Sequence, residues 1–239
     1  MKTFLIAMAL CLTLIVAFKS MSMKNPEAGL HYIVREPKIK SAKPPVIILL
    51  HGVGSNEKDL FSFANHLPDH FLVISARAPY TIGRDSYSWF EIDLSTGKAI
   101  INKVQAEKSR NTLIQFIGQL KEQYPFDEKQ VYLCGFSQGA IMAFSVGLTR
   151  SDIVKGIAIM SGGLLEEVKP SIVPTEQLKR LRIFISHGIN DNTLSINYAR
   201  NAVAYLKEIK INPTYKEYVA GHELNNEMFN DLLRWLNDK

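Results

Sequence analysis

The segment Gly135-Phe136-Ser137-Gln138-Gly139 contains the residue with the clearest chemical potential in this chain. Its form, Gly-x-Ser-x-Gly, is typical of a sharp turn that links a strand to a helix and exposes a serine hydroxyl. Glycine is needed on both sides of the serine because side chains there would collide, and the serine backbone is itself strained. The pattern predicts that Ser137 is a nucleophile that attacks a substrate carbonyl carbon.

The residues on either side of this turn agree with that interpretation. Residues 130–134 are mostly apolar strand formers and end in Cys134, as expected of a buried parallel strand with a small core residue. Residues 140–148 are apolar on nearly every side, which predicts a buried helix. Strand, turn and buried helix form the context that the motif requires. A Gly/Ser turn on the surface is the alternative, but such turns are seldom bounded by two buried elements.

A serine hydroxyl becomes a nucleophile only when a base accepts its proton. His222 follows the last predicted strand on a loop, and we predict that it is this base. Asp191 follows the preceding strand, and we predict that it holds the imidazole in the tautomer that accepts the serine proton. The order serine, acid, histidine is the one that accompanies this kind of turn. The alternatives are a helix-capping role for His222 and a turn role for Asp191.

Three other titratable residues receive no part in the proton transfer. His187 ends the strand that precedes the Asp191 loop, and Asp152 lies before a strand, at the wrong end of the predicted sheet. His51 precedes the nucleophile in sequence. We therefore expect it to shape its own loop rather than to act as the base.

The reaction also needs hydrogen-bond donors for the negative charge that develops on the carbonyl oxygen. The backbone N–H of Gln138 is one predicted donor, because it begins the buried helix, where the helix dipole favours negative charge. The second predicted donor is the backbone N–H of Val53 in the loop His51-Gly52-Val53-Gly54. The glycines of this loop allow its backbone to approach a substrate closely.

The elements that must position these residues alternate between strands and helices. Residues 80–103 lack a clean period. The alternation predicts a mostly parallel sheet with helices on both faces. Together with the Gly-x-Ser-x-Gly turn it indicates an α/β-hydrolase fold, and no inserted stretch is long enough for a separate lid domain. Such sheets carry their sites at the carboxyl ends of the strands. The predicted strands are 30–35, 46–50, 71–75, 130–134, 157–160, 183–185 and 215–219, and the predicted helices are 57–67, 104–124, 140–148, 195–209 and 224–236.

The composition limits the classes of partner. The 239 residues suit one domain with a substantial core, and the net charge is +5. Lysines are spread along the chain without the clusters of a nucleic-acid-binding face, so we expect no nucleic-acid partner. The expected substrate is a small molecule or a lipid, and the oligomeric state is not predicted.

The N-terminus reads as a targeting segment. Met1-Lys2 precedes an apolar run over residues 4–18, followed by Lys19 and a small-residue site at Ser20–Ser22. Residues 1–22 are predicted to be a signal peptide or an N-terminal anchor, with residues 23–239 as a single domain exported to the periplasm or outside the cell. An uncleaved segment would provide the only membrane contact. Translation from Met21 or Met23 would instead give a cytoplasmic protein.

Six separated motifs, in this order, give the chain a specific resemblance to the phospholipase/carboxylesterase family of small α/β hydrolases, which includes acyl-protein thioesterases. The resemblance spans roughly residues 30–239. It implies a Ser137–Asp191–His222 triad, an oxyanion hole from Val53 and Gln138, no cofactor or metal, and a position for Trp89 near the acyl-binding cleft. The motifs are Leu50-His51-Gly52-Val53-Gly54, Ala76-Arg77-Ala78-Pro79, Trp89-Phe90, Gly135-Phe136-Ser137-Gln138-Gly139, His187-Gly188-Ile189-Asn190-Asp191 and Gly221-His222.

Two departures from the family pattern leave the substrate open. Asn192-Thr193-Leu194-Ser195 stands where the family usually has a Val-Pro pair, and Gly221-His222 is followed by Glu223-Leu224. The first hypothesis is a serine carboxylesterase that hydrolyses small to medium acyl esters through an acyl-enzyme intermediate. The second is a lysophospholipase or acyl-protein thioesterase. A hydrolase-fold binding protein without activity is the non-enzyme alternative, although all three triad candidates are present.

Overall fold

The computed structural model describes residues 29–93 and 100–238. The predicted targeting segment, residues 1–22, lies outside the described residues. The strands are β1 (Tyr32–Arg35), β2 (Val46–Leu50), β3 (Leu72–Ala76), β4 (Tyr80–Gly83), β5 (Ser86–Ser88), β6 (Ile92–Asp93), β7 (Ile100–Ile101), β8 (Val131–Phe136), β9 (Gly156–Met160), β10 (Arg182–Gly188) and β11 (Thr214–Tyr218).

The α-helices are α1 (Lys58–Phe61), α2 (Lys103–Gln123), α3 (Gln138–Thr149), α4 (Glu176–Lys179), α5 (Asn197–Glu208) and α6 (Asn226–Asn237). Two short 3-10 helices, Ala64–His66 and Glu166–Ser171, complete the helical elements of the described residues.

Seven strands form one sheet in the order β1-β3-β2-β8-β9-β10-β11. All neighbours in it are parallel except β1, which runs antiparallel to β3 at one edge. Strand β8 lies at the centre and leads directly into Ser137. The carboxyl ends of β2, β8, β10 and β11 therefore share one edge of the sheet, where the loops with the predicted site residues begin.

Alternate residues of the buried strands pack against opposite faces of the sheet. Val46, Ile48 and Leu50 of β2 belong to one hydrophobic cluster, to which α2, α3 and α5 contribute. Ile47 and Leu49 belong to a second cluster, which is covered by α1 and α6. Burial on both faces explains why the central strands are continuous apolar runs rather than alternating sequences.

The prediction of a mostly parallel sheet with helices on both faces is confirmed, and no group of elements within 29–93 and 100–238 forms a separate lid domain. The aperiodic segment after β3 forms two small antiparallel hairpins, β4–β5 and β6–β7. The predicted helix over 57–67 is broken into α1 and a 3-10 turn, and α4 was not predicted. In the described part of the chain, no helix has the length and apolar composition needed to cross a membrane.

Candidate active site

The turn between β8 and α3 places the serine in a strained conformation. Ser137 has φ of 54° and ψ of −118°, a region that residues with a side chain rarely adopt. Its backbone N–H donates a 2.9 Å hydrogen bond to the Met160 carbonyl on β9, which anchors the turn. Glycine is required at position 139, because a Cβ there would lie 2.0 Å from the Leu50 carbonyl oxygen. Helix α3 therefore begins directly against the end of β2.

Three side chains from different loops form a continuous hydrogen-bonded series. The Nε2 atom of His222 lies 2.9 Å from Ser137 Oγ, and its Nδ1 atom lies 2.7 Å from Asp191 Oδ2. An ionised carboxylate only accepts hydrogen bonds, so Nδ1 carries the proton that binds Asp191. Nε2 is then free to accept the proton of the serine hydroxyl, as general-base chemistry requires.

The local environment keeps Asp191 ionised. Its side chain is fully buried, and Oδ1 accepts hydrogen bonds from the backbone N–H groups of Thr193 (2.9 Å) and Leu194 (2.7 Å). Burial alone would raise the pKa of the carboxyl group, but the hydrogen bonds from Leu194, His222 and Thr193 outweigh burial and lower it. Asp191 is thus an anion at neutral pH, held by the turn that it begins.

A second histidine contacts this carboxylate. His187 is fully buried, and its Nε2 atom lies 2.7 Å from the Leu194 carbonyl oxygen and 3.2 Å from Asp191 Oδ2. Its Nδ1 atom has no hydrogen-bond partner within the described residues. His187 therefore contacts both ends of the acid loop, which is the segment from Asp191 to Leu194. The sequence indicated only that it ends a strand.

The two predicted oxyanion donors belong to segments that adjoin Ser137. Gln138 is the first residue of α3, and Gly52 packs so closely that a Cβ on it would be 3.3 Å from Ser137 Cβ. Neither the Val53 nor the Gln138 backbone N–H donates to an acceptor within the described ranges. Unpaired backbone N–H groups are uncommon in folded proteins unless water or a ligand receives them.

The sequence predicted a role only for the backbone N–H of Gln138, but its side chain also makes structural contacts. It is buried, and Oε1 accepts hydrogen bonds from the Trp89 N–H (2.7 Å) and from Ser88 Oγ (3.1 Å). Its Nε2 donates to the Phe90 carbonyl at 2.7 Å. This amide fastens residues 88–90 to the nucleophile turn. Local sequence gives no signal for the contact, since the partners are about fifty positions apart.

Trp89 differs from its predicted role in substrate binding. Its side chain has 0% exposure, so in this structure it presents no surface to a cleft. The indole N–H donates a 2.9 Å hydrogen bond to the His51 carbonyl. Trp89 therefore stabilises the loop after β2 through this hydrogen bond. A buried indole needs an acceptor for its N–H, and the loop backbone provides it.

Other reactive groups of the described residues do not form a site. Cys134 is fully buried, and burial raises the pKa of its thiol to about 12, so it stays protonated and unreactive. No group of three or more His, Cys, Asp or Glu side chains in the described part of the chain is arranged to hold a metal ion.

Comparison with known proteins finds relatives that match most of the chain. A family model described as Phospholipase/Carboxylesterase matches residues 31–239. The Arabidopsis thaliana protein called "Probable carboxylesterase SOBER1-like" is 28% identical over 81% of this chain and 78% of its own length. Acyl-protein thioesterase 1 of Mycosarcoma maydis is 25% identical over 78% of this chain and 85% of its length. The crystal structure of the Bacillus cereus carboxylesterase has the same fold, with a TM-score of 0.75, 23% identity and coverage of 87% and 93% of the two chains.

Proposed function

Because the chain belongs to the phospholipase/carboxylesterase family of α/β hydrolases, we propose that it is a serine carboxylesterase that hydrolyses small to medium acyl esters. The observation that supports the proposal best is the hydrogen-bonded series from Asp191 through His222 to Ser137 Oγ. This series gives the serine a base, and gives the base an oriented carboxylate. One relative is named a carboxylesterase and the other a thioesterase, so both names describe hydrolysis at an acyl group.

In the acylation half, Ser137 Oγ attacks the carbonyl carbon of the ester while His222 Nε2 accepts the hydroxyl proton. The carbonyl oxygen becomes an oxyanion that the Val53 and Gln138 N–H groups receive. Collapse of the tetrahedral intermediate breaks the bond to the alkoxy group. His222 gives its proton to the departing oxygen, so an alcohol leaves and the acyl group remains on Ser137.

In the deacylation half, water replaces the alcohol. His222 accepts one proton from this water as its oxygen attacks the acyl carbon, and the same two N–H groups receive the second oxyanion. Breakdown releases the carboxylic acid and returns the proton to Ser137 Oγ. Asp191 stabilises the imidazolium form of His222 in both halves and remains ionised throughout.

A fluorophosphonate probe tests the nucleophile directly, since it phosphonylates an activated serine. We expect the wild-type protein to be labelled at Ser137 and to hydrolyse p-nitrophenyl esters. Ser137→Ala should remove the label and lower kcat by about a million-fold. Ser62→Ala, at an exposed serine of the α1 region, is the matched control and should match the wild type. Folded wild-type protein without label would refute the proposal and favour the binding-protein alternative.

A lysophospholipase or acyl-protein thioesterase is the second candidate, since one relative carries the thioesterase name. Acyl length separates the candidates. Each additional buried methylene contributes about 0.8 kcal/mol, or about fourfold in kcat/KM, for as long as the chain finds apolar surface. With p-nitrophenyl esters from two to sixteen carbons, the proposed carboxylesterase should peak at short or medium length. A rise that continues to the longest chains would favour the second candidate.

The cellular location is proposed from the N-terminal sequence alone. We propose that residues 1–22 direct export and that residues 23–239 form the single catalytic domain; an uncleaved segment would anchor that domain to a membrane. The supporting observation is the basic start, apolar run and Ser20–Ser22 site. Fractionation and N-terminal sequencing test it. A mature protein that starts at Met23 outside the cytoplasm is expected, whereas a cytoplasmic product that starts at Met21 or Met23 would contradict it.

A further inference from the structure

We propose that His51 is a positioning residue, which holds the Gly52–Val53 peptide so that the Val53 N–H is directed towards the reacting carbonyl. The inference rests on the proposed function, because it gives that N–H the task of receiving the oxyanion. His51 is 0% exposed and cannot itself contact substrate. Its influence must pass through the backbone of its own loop.

The contacts of the His51 ring fix its tautomer. The Ala78 backbone N–H donates a 3.0 Å hydrogen bond to His51 Nε2, so Nε2 must be unprotonated. The proton of the neutral ring is therefore on Nδ1. That atom lies 2.7 Å from the Gly52 carbonyl oxygen and donates to it. Both ring nitrogens are thus used, each by backbone.

The orientation of the peptide follows from its planarity. The C=O and N–H of a trans peptide point in opposite directions. The Gly52 carbonyl is directed towards the buried His51 ring, and it also accepts a weaker bond from the Ser55 N–H at 3.3 Å. The Val53 N–H is consequently directed away from the ring, and it has no acceptor within the described residues. A flip of this peptide would replace the N–H with a carbonyl and repel the oxyanion.

The ring that holds the peptide is itself held from two sides. Arg77, next to Ala78, makes hydrogen bonds of 2.6 and 2.7 Å to the carboxylate of the buried Glu57. This pair fixes the backbone that donates to His51 Nε2. On the other side, the Trp89 indole N–H binds the His51 carbonyl. Because both ring nitrogens and the backbone carbonyl of His51 are hydrogen-bonded, rotation of the ring is restricted.

Burial keeps the ring in the required state. It lowers the pKa of His51, and the positive charge of Arg77 lowers it further. The hydrogen bond to Gly52 and the negative charges of Asp59 and Glu57 raise the pKa but do not reverse the shift. The neutral tautomer therefore persists at neutral pH. Protonation of Nε2 would abolish its role as the acceptor for Ala78.

Two amide substitutions separate the functions of the two ring nitrogens. The amide nitrogen of Asn can occupy the place of Nδ1, so His51→Asn keeps a donor for the Gly52 carbonyl and loses the acceptor for Ala78. In His51→Gln the amide oxygen can take the place of Nε2, so the acceptor is kept and the donor is lost. We expect His51→Asn to stay close to the wild type, and His51→Gln to lose kcat with little change in KM.

The affinity for a trifluoromethyl ketone provides the readout that a merely structural role would not move. Ser137 adds to this ketone and forms a stable oxyanion, whereas the methyl ketone of the same chain reports binding alone. Per active site titrated with fluorophosphonate, His51→Gln should bind the trifluoromethyl ketone about 10- to 100-fold more weakly, with the methyl ketone unchanged. Equal trifluoromethyl ketone affinity in His51→Gln and the wild type, or an equal loss in His51→Asn, would overturn the proposal.

The wild-type protein gives an independent check if a variant does not fold. Long-range proton–nitrogen NMR spectra of histidine-labelled protein distinguish the tautomers, and we expect His51 to carry its proton on Nδ1. A proton on Nε2 would overturn the inference without any variant. Failure of the proposed function would look different, because wild-type Ser137 would then resist the fluorophosphonate.

Discussion

Two His-Gly pairs lie at the carboxyl ends of strands on either side of the nucleophile strand β8. His51-Gly52 follows β2, the direct neighbour of β8, and His187-Gly188 ends β10, which β9 separates from β8. Both histidines are completely buried, and neither is within the series that reaches Ser137. His51 uses both ring nitrogens on backbone groups, whereas His187 uses only Nε2. One ring orients a peptide N–H, and the other holds the loop of the carboxylate. Both buried histidines hold backbone groups through hydrogen bonds, a use distinct from proton transfer to the serine.

The glycines of the two pairs also differ. A Cβ on Gly188 would lie 2.3 Å from the carbonyl oxygens of Ala220 and Gly221, while one on Gly52 would meet Ser137 Cβ at 3.3 Å. The acid loop thus packs backbone against backbone on the His222 loop. The oxyanion loop, residues 51–54 with the predicted donor Val53, is less tightly packed, since a Cβ on Gly52 needs a shift of only a few tenths of an ångström. Packing around the glycine is therefore tighter on the acid side, and the difference between the two sides can be tested in five ways.

The largest effect is expected on the acid side. In Asp191→Asn the amide would favour the His222 tautomer that cannot accept the serine proton, so kcat should fall by about 10⁴-fold while the fold persists. Steady-state kinetics on a p-nitrophenyl ester measures this effect, with the exposed Asp85→Asn as control. A loss below about tenfold would show that Asp191 does not orient the base.

Gly188→Ala and Gly52→Ala compare the packing of the two loops. The first places a methyl group against fixed backbone, and we expect it to lower the free energy of unfolding by about 3 kcal/mol. The second needs a shift of only a few tenths of an ångström and should cost about 1 kcal/mol or less. Urea unfolding of both variants provides the measurement. Equal losses of unfolding free energy in the two variants would contradict the difference in packing between the two loops.

The same two amide substitutions should have opposite outcomes at the two histidines. His187 donates through Nε2 to the Leu194 carbonyl, so the amide nitrogen of His187→Gln can replace it, while His187→Asn places its donor at the unused Nδ1 position. We expect His187→Asn to lower kcat about tenfold and His187→Gln to be nearly neutral. This is the reverse of the order at His51. The same order at both positions would remove the distinction between the two rings.

Acid should affect the oxyanion side first. The folded protein lowers the pKa of His51 below the ordinary value of about 6.5, so the unfolded chain binds the proton first as the pH falls. Stability is therefore lost as the pH falls through about 6.5, with a slope of up to about 1.4 kcal/mol per pH unit. Asp191, whose pKa is also lowered, contributes a similar loss only below about pH 4. Urea unfolding between pH 7 and 5 should show a smaller loss of stability in His51→Asn than in the wild type.

The smallest effect is expected for Trp89→Phe. This change keeps an aromatic ring and removes the indole N–H that binds the His51 carbonyl. It should cost about 1 kcal/mol of stability and a few-fold in kcat, with KM unchanged for every acyl length. A change in acyl-length preference would support the sequence-based prediction that Trp89 binds substrate.

The sequence predicted best those features that are set by local physics. The strand, the Gly-x-Ser-x-Gly turn and the apolar helix are adjacent in the chain, so the position of Ser137 at the sheet edge could be inferred from one segment. Alternation of strands and helices then placed the loops of Asp191 and His222 at that edge, where the structure brings the three side chains together.

Contacts between distant segments gave no comparable signal. The amide of Gln138 binding residues 88–90, and His187 touching both Asp191 and Leu194, depend on which loops the fold brings together. The hairpins after β3 were missed because their strands are two to four residues long and mostly exposed. Trp89 was placed near the acyl-binding cleft by the family resemblance alone, and the local sequence gives no indication that its side chain is buried.

The β4–β5 hairpin has a consequence for how related enzymes diversify. Its Tyr87 exchanges backbone hydrogen bonds with the oxyanion loop, through Tyr87 N–H to the Ser55 carbonyl and Gly54 N–H to the Tyr87 carbonyl, both at 2.9 Å. Backbone hydrogen bonds are kept when a side chain is substituted, but they are lost when the register between the hairpin and the loop changes. Replacement of exposed tip residues such as Ile82 and Arg84 would therefore change the surface of the hairpin and leave the rate of catalysis unchanged. Insertions or deletions there would disturb catalysis, so a library aimed at new ester selectivity should vary residue identity and keep the hairpin length constant.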